Sequence, residues 1–462
     1  MKIGLLPLYV KLYDDVAPDV RPRMEAFYEK IAVEFEKRGV EVVRTDDFAR
    51  LKDEFKAAVT KFEREGADAI VTLHIAYSPS LESIGALCDT DLPIIVLDTT
   101  ETLEFTNEQS DGEIMYNHGI HGVMDMCSML TQRGVNYAIA AGHWQESDVI
   151  DRVCGFARVA CAARAIKGAK VGLIGESFAG MGDFRVDYRE LYDRFGIKVV
   201  QPSTADMRAF YDAVTPEEVE AEKAYNRDNY ELADNIIERE YTESIRSCLA
   251  TRKYIAANGL TAFSVNFLKI GPNDAGITSM PFIEACKSMQ NGIGYAGEGD
   301  VMTAAFTGAL LSGYKDTTFV EIFCPDWKNN ILLLSHMGEV NYGIADCKPT
   351  VSRAGKKYAT EDEFPYAGYT RMKGGKGVYI NISRARDDYR LFAAPAEMLS
   401  FDHDNFGGSM RGWMKPDGYT TAEFLEEHSK WGATHHSIFV YDATAEEIEF
   451  FGKLLDVETV IL

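Results

Sequence analysis

The segment "KIGLLPLYV" (residues 2–10) leads into "RPRMEAFYEKIAVEFEKRG" (21–39), and this pair decides the fold class. The first is a short, continuously apolar run, as expected of a strand covered on both faces. The second repeats apolar residues at helical spacing and stops at Gly39, a usual place for a helix to end. A buried strand followed by an amphipathic helix is half of a βαβ unit, so the next strand is expected parallel to the first.

The same rhythm continues along the chain. "VEVVRT" (40–45), the helical "FARLKDEFKAAVTKFEREG" (48–66) and "DAIVTLHIA" (68–76) repeat it. "PIIVLDTT" (93–100), a helix around "HGVMDMCSMLTQRG" (121–134) and "NYAIAAGHW" (136–144) extend it, and a long helix is predicted over about 147–167. A second α/β series begins at "KVGLIGE" (170–176) and runs through "TAFSVNF" (261–267) to "GYAGEGDVMTAAFTGALL" (294–311). It holds a charged stretch, "TPEEVEAEKAYNRDNYELADNIIEREYTESI" (215–245), whose composition reads as a solvated helical face.

From about 318 the pattern changes. "TTFVEIF", "NILLLSHMGEV", "KGVYINISRA" and "YRLFAAPAEML" predict antiparallel strands joined by turns such as "KGGKG" (373–377). Thr420 with Glu423, and Thr444 with Glu447, have the spacing of capping boxes opening two late helices. At 462 residues the chain exceeds one ordinary core. The reading is therefore an α/β protein with divisions at 1–166, 167–317 and 318–462.

Bulk properties narrow the partners. A formal charge of −24 repels phosphate backbones and anionic bilayers, which argues against nucleic acid and membrane surfaces. No apolar stretch is long enough to span a bilayer. The eight cysteines form no C-x-x-C pair and sit singly in apolar or helical runs, as reduced core thiols of a cytoplasmic protein would.

The chemistry is less local. "GIGYAGEGDVMTAAF" (292–306) sets Glu298 and Asp300 among glycines, just ahead of an apolar helical run. A phosphate loop would carry a lysine there, not two carboxylates. In "TTFVEIFCPD" strand alternation turns Phe319, Glu321 and Phe323 to one face, so a buried Glu321 needs a cation, a proton or several donors. An edge strand would instead leave Glu321 in water. His336 closes the apolar run "ILLLSH", where a hydrogen-bonded core histidine is the ordinary alternative to a ligand. His435 and His436 open a strand in "THHSIFVYD", and alternation would send them to opposite faces. Two glutamates and two histidines suit a divalent ion with mixed oxygen and nitrogen ligands, such as Mn²⁺, better than a cysteine-rich zinc site.

Three further segments are candidates. "GESFAGMGDF" (175–184) follows a strand but has neither P-loop nor dinucleotide-loop spacing. "HGIHG" (118–122) precedes a helix, where it either contacts a polar ligand or only caps. "LHIAYSPS" (73–80) places His74 at the carboxyl end of a parallel strand, where open α/β sheets bind ligands.

Taken together, nine segments resemble, in order, those of the L-arabinose isomerase and L-fucose isomerase superfamily, closer to the arabinose branch. They are "LHIAYSPS", "NHGIHGVMDM", "GHWQE", "AFSVNF", "GYAGEGDVMTAA", "FVEIF", "LLSHMGEV", "RGWMKP" and "GATHHSIF". The resemblance implies two Rossmann-like parallel-sheet domains followed by a mainly antiparallel, β-barrel-like C-terminal domain. It implies a metal-dependent aldose–ketose isomerase, with Glu298, Glu321, His336 and His436 as ligands of Mn²⁺, Co²⁺ or Mg²⁺. Glu298 and Glu321 would also carry the proton transfer, and Asp300 either supports them or caps the following helix. Lys11, His74, His121, Met181, Phe267 and His435 are the implied sugar contacts. The assembly implied is a homotrimer or homohexamer with active sites at subunit boundaries, His121 being lent by a neighbour.

Two segments depart from the family. Where it carries Ser-Gln-His-Leu-Tyr, this chain reads "LYVKLY" (8–13), so the substrate-contacting glutamine is replaced near Val10 or Lys11. "GESFAGMGDF" differs from Gly-Asp-Asn-Met-Arg, which leaves Met181 a loose match. The expectation is an isomerase whose metal shell is kept and whose sugar shell has changed. The competing readings are a non-catalytic sugar-binding or regulatory protein on the same scaffold, and an epimerase of a related polyol or sugar acid.

Overall fold

A computed structural model describes residues 1–355 and 364–462. The chain divides into two compact units, Met1–Cys161 and Ala162–Leu462.

In the first unit, β1 (Lys2–Leu8), β2 (Glu41–Arg44), β3 (Ala69–His74), β4 (Ile94–Asp98) and β5 (Tyr137–Ala141) form one sheet, ordered β2-β1-β3-β4-β5. Every pairing in it is parallel. β1 and β3 are buried almost without interruption, which is why they read as apolar runs rather than alternating ones. Helices 52–64, 80–88 and 120–132 cover one face, packing Phe55, Val59, Phe62, Ile84, Met126 and Leu130 onto Leu6, Leu8, Ile70 and Val96.

The second unit opens with another parallel sheet. It is built from β6 (Lys170–Ile174), β7 (Lys198–Val200), β9 (Ala262–Val265) and β10 (Gly294–Gly297), ordered β10-β9-β6-β7. Between β7 and β9 lies the two-residue β8 (Glu231–Leu232). It joins a small three-stranded sheet with β13 (Thr350–Arg353) and β14 (Tyr366–Tyr369).

The rest is a closed antiparallel barrel. β11 (Thr317–Asp326), β12 (Ile331–Ser335), β15 (Gly375–Ala385), β16 (Asp388–Leu399), β17 (Gly412–Pro416) and β18 (His436–Tyr441) pair in the ring β15-β18-β11-β12-β17-β16, closed by β15 on β16. Closure removes the free edges a six-stranded sheet would otherwise expose. β19 (Glu458–Ile461) adds outside the ring, parallel to β16. The expected fold class, two parallel-sheet α/β portions and an antiparallel barrel, is thus what the chain forms. Both predicted capping boxes are present, at Thr420–Glu423 and Thr444–Glu447.

Four local expectations need correction. The charged stretch 215–245 contributes to two helices and is solvated over much of its length, but not throughout. Glu222, Lys223 and Asn226 are buried, and Glu222 pairs with Lys287 at 2.6 Å and with Arg252 at 2.8 Å. Glu222's partners lie outside the stretch, while Lys223 pairs within it, with Glu220, Glu238 and Thr242, so spacing along the stretch did not show which charges are buried. Cys324 is exposed and not a core thiol. Phe323 does not share the buried face of Phe319: a register shift between Ile322 and Cys324 breaks the alternation and leaves it 45% exposed. The "KGGKG" segment leads into β15; the β15–β16 hairpin turns at 386–387 instead.

Candidate active site

The second unit gathers the predicted acidic and histidine side chains at the end of the parallel sheet and the mouth of the barrel. Glu298 follows β10, in the turn that opens the buried Val301–Gly313 helix. Its φ is +63°, a left-handed conformation that costs a non-glycine residue about 1–2 kcal/mol. The flanking glycines explain how the turn is tolerated. A Cβ on Gly297 would lie 2.6 Å from His336 Cε1, and one on Gly299 would lie 2.6 Å from the Glu176 carbonyl oxygen. Gly299 N–H donates to Ser264 Oγ at 2.9 Å, and Phe178 N–H donates to the Glu298 carbonyl at 2.9 Å.

Glu321 lies on β11, between β12 and β18, so the edge-strand alternative does not apply. Its register partners are Ser335 on β12 and His436 on β18. That register places His336, one residue beyond Ser335, on one side of Glu321 and His436 on the other. Glu321 Oε2 stands 3.9 Å from His336 Nε2. Glu298 Oε2 stands 3.9 Å from His436 Nε2 and 3.7 Å from His435 Nε2. Two groups result, Glu321–His336–His436 and Glu298–His435–His436, each with its ligand atoms within 4.8 Å of one another. His436 is common to both. His435 precedes β18, so strand alternation does not separate the two rings as the sequence suggested. Their centroids lie 4.3 Å apart.

Both buried histidines are oriented by carboxylates. His336 Nδ1 donates to Glu339 Oε2 at 2.7 Å; Glu339, itself buried, also accepts from Gly338 N–H at 2.8 Å and Tyr295 O–H at 2.7 Å. His436 Nδ1 donates to Asp300 Oδ2 at 3.1 Å, while Asp300 Oδ1 accepts from Thr303 N–H at 2.9 Å. Asp300 therefore both caps the helix and holds a histidine. A carboxylate only accepts, so each Nδ1 carries a proton, and Nε2 is the ring nitrogen that faces Glu321 or Glu298. Phe319, fully buried, packs its ring 4.8 Å from His336 and 4.9 Å from His436.

This arrangement fits a divalent cation. Glu298 Oε2 and His436 Nε2 are both buried and neither has a hydrogen-bond partner. Two orphaned acceptors, with carboxylate oxygen and imidazole nitrogen around them and no thiolate in either group, are what a bound divalent cation relieves. Burial acts to raise the Glu298 carboxyl, but His435, His436 and His336 outweigh it and hold it below the usual range. Burial likewise pulls the His435 imidazole down, yet Asp183 and Glu298 push it up to about 10.

Of the remaining predicted contacts, Met181 and Phe267 belong to this unit. Phe267 stacks on Phe178, with centroids 5.7 Å apart, and Met181 N–H donates to the Phe178 carbonyl at 3.2 Å. Lys11, His74 and His121 belong to the first unit, at the carboxyl end of its sheet. Lys11 is exposed and pairs with Asp15 at 2.9 Å. His121 is exposed and its Nδ1 meets His118 Nε2 at 2.7 Å. His74 is buried under Gly119 and Gly122, neither ring nitrogen has a partner, and burial lowers its pKa to about 3.

Sequence reasoning missed Glu339, Asp183 and Phe184. Glu339 lies three residues after His336 in "SHMGEV", a spacing that was available to read. The other two lie in the 175–184 loop, which no motif explains.

Comparison with known proteins identifies the family. The family models for the L-arabinose isomerase N-terminal, central and C-terminal domains match residues 23–168, 181–312 and 316–458. An L-arabinose isomerase of Shouchella clausii is 24% identical over 99% of this chain and 93% of its own length. One of Aeromonas hydrophila is 25% identical over 85% of this chain and 80% of its own. A solved periplasmic solute-binding protein of Actinobacillus succinogenes, with bound D-allose, covers 68% of this chain and 91% of its own at 14% identity. Its TM-score of 0.17 is too low to bear on the fold. With three consecutive domain matches in the order its own elements follow, the chain belongs to the L-arabinose isomerase family and is an aldose–ketose isomerase.

Proposed function

We propose that this isomerase binds one divalent cation of the Mn²⁺ class (Co²⁺ and Mg²⁺ being the alternatives) through Glu298, Glu321, His336 and His436. Its substrate would be an open-chain pentose, hexose or deoxy sugar. The observation that supports the reading most is the pair of orphaned buried acceptors, Glu298 Oε2 and His436 Nε2, at the meeting point of two candidate ligand groups. When bound, such an ion supplies a Lewis acid for the sugar's carbonyl and neighbouring hydroxyl oxygens.

The chain's own residues do the rest. One of Glu298 and Glu321, as carboxylate, takes the C2 proton, leaving an enediolate; the other, starting as the acid, delivers a proton to C1, as the hydroxyl proton passes from one oxygen to its neighbour. Glu339 and Asp300 keep the two imidazoles from turning during this exchange. Phe319 fills the space between the rings and keeps water out.

L-arabinose is the sugar named for the relatives, and it is the first to try. The replaced segment at Val10–Lys11 and the altered 175–184 loop favour a different aldose. The test is a panel of pentoses, hexoses and deoxy sugars with added Mn²⁺, products identified by NMR. Activity should vanish with EDTA and return with Mn²⁺. Glu298→Gln and Glu321→Gln should each cost about 10²- to 10⁴-fold with the fold retained. Full activity in both variants would overturn the assignment.

The same reading carries a homotrimer or homohexamer in which His121 reaches a neighbour's site, supported by its exposure; light scattering and His121→Ala kinetics test it. It places the protein in the cytoplasm, which the single, unclustered placement of its eight cysteines along the sequence suits. Among the described residues no helix is long and apolar enough to cross a membrane.

A further inference from the structure

The loop 175–187 is tied to the site along its length. Asn266 Nδ2 donates to the Glu176 carbonyl at 2.8 Å, and Phe178 N–H reaches the Glu298 carbonyl. Phe184, 1% exposed, lies parallel to the His436 ring with centroids 4.9 Å apart. Beside it, a single oxygen of Asp183 accepts two hydrogen bonds from one residue, the His435 main-chain N–H at 2.9 Å and His435 Nδ1–H at 2.6 Å. The opposite ring nitrogen, Nε2, stands 3.7 Å from Glu298 Oε2.

We propose that Asp183 is a positioning residue, which holds the His435 ring with Nε2 directed at Glu298 and at the sugar oxygen that lies beside it. Two bonds to one acceptor fix both the backbone at residue 435 and the ring's rotation about its side-chain torsions. Without them the ring has no other polar partner on its Nδ1 side among the described contacts, and Nε2 is free to swing away from Glu298. The catalytic consequence rests on the isomerase reading above; the orientation of the ring does not.

The experiment compares wild type with Asp183→Ala, Asp183→Asn, His435→Ala and the double variant Asp183→Ala/His435→Ala. Asp183→Ala is expected to lower kcat about 10- to 100-fold, the usual cost of losing a supporting contact. Mn²⁺ affinity and thermal midpoint should stay near wild type. Asp183→Asn keeps an oxygen that accepts both N–H groups and should recover most of the rate. The double variant should be no worse than His435→Ala alone, because Asp183 acts only through that ring. A crystal structure of Asp183→Ala should show the His435 ring turned from Glu298. Additive losses, an Asp183→Asn variant as poor as Asp183→Ala, or an unmoved ring would each overturn the proposal. If wild type turns over no aldose, the isomerase reading fails on its own, and the ring orientation still decides the positioning role.

Discussion

Gly297→Ala should disable the enzyme through one added methyl group. The new Cβ would meet His336 Cε1 at 2.6 Å and Nε2 at 3.0 Å, where non-bonded carbon contacts settle near about 3.5–4.0 Å. The ring must therefore retreat by about 1 Å. It has little freedom to do so, because Nδ1 is bound to Glu339, and Glu339 is held in turn by Tyr295 and Gly338. A misplacement of about 1 Å at a reacting centre costs about 100-fold, or about 2.7 kcal/mol of transition-state stabilisation. Overpacking should also cost about 1–3 kcal/mol of stability. Gly297 does not have a positive φ, so alanine brings no backbone strain of its own. The assay is kcat/KM at saturating Mn²⁺, with Mn²⁺ affinity from calorimetry and a thermal melt on the same samples. Gly85→Ala is the control: its Cβ meets nothing within 4 Å, it lies in a helix, and it should leave activity unchanged. A Gly297→Ala enzyme within threefold of wild type and binding Mn²⁺ normally would show that His336 does not sit where the chemistry needs it.

Two predictions concern stability. His428 is buried among Tyr379, Phe392 and Phe424, and burial lowers its pKa to about 4. Unfolded, it titrates near about 6.5, so between there and pH 4 the unfolded chain binds more protons and stability falls as pH falls. The loss should approach about 3 kcal/mol by pH 4, with none above pH 6.5. His428→Gln should flatten urea-derived stability between pH 7 and 4.5, and an unchanged slope would refute the assignment. Lys287, also buried, donates to Glu222 Oε1 at 2.6 Å and Asn226 Oδ1 at 2.7 Å. Lys287→Met should destabilise by about 2–3 kcal/mol, less than for a wholly stripped ion, since Glu222 keeps Arg252. A neutral or stabilised variant in chemical denaturation would mean that the lysine contributes only its packing.

Glu298 shows why a site can break a local rule. A carboxylate in a left-handed turn ahead of an apolar helix is unfavourable by itself, and in "GYAGEGDVMTAA" nothing nearby compensates it. The three histidines that do so come from the far side of β11 and from the start of β18. The charged segment 215–245 has the same lesson in reverse: Glu222, which looks made for water, is buried because Arg252, further along the helix that starts at Glu238, and Lys287, from the following helix, both pair with it.

Read alone, the sequence determined what local physics controls. Apolar period located the parallel strands other than β7 and several of the helices that cover them, Thr-x-x-Glu spacing located two helix starts, and nine ordered segments pointed to the family and so to the candidate ligands. Tertiary structure alone decided that Glu321 pairs with His436 and Ser335, that His435 lies before the strand and turns to the same side as His436, and that Glu339, Asp300 and Asp183 aim the rings. The reason is physical. Periodicity tells which face of an element a side chain takes, but which strand lies beside it, and in what register, depends on the packing of the whole barrel.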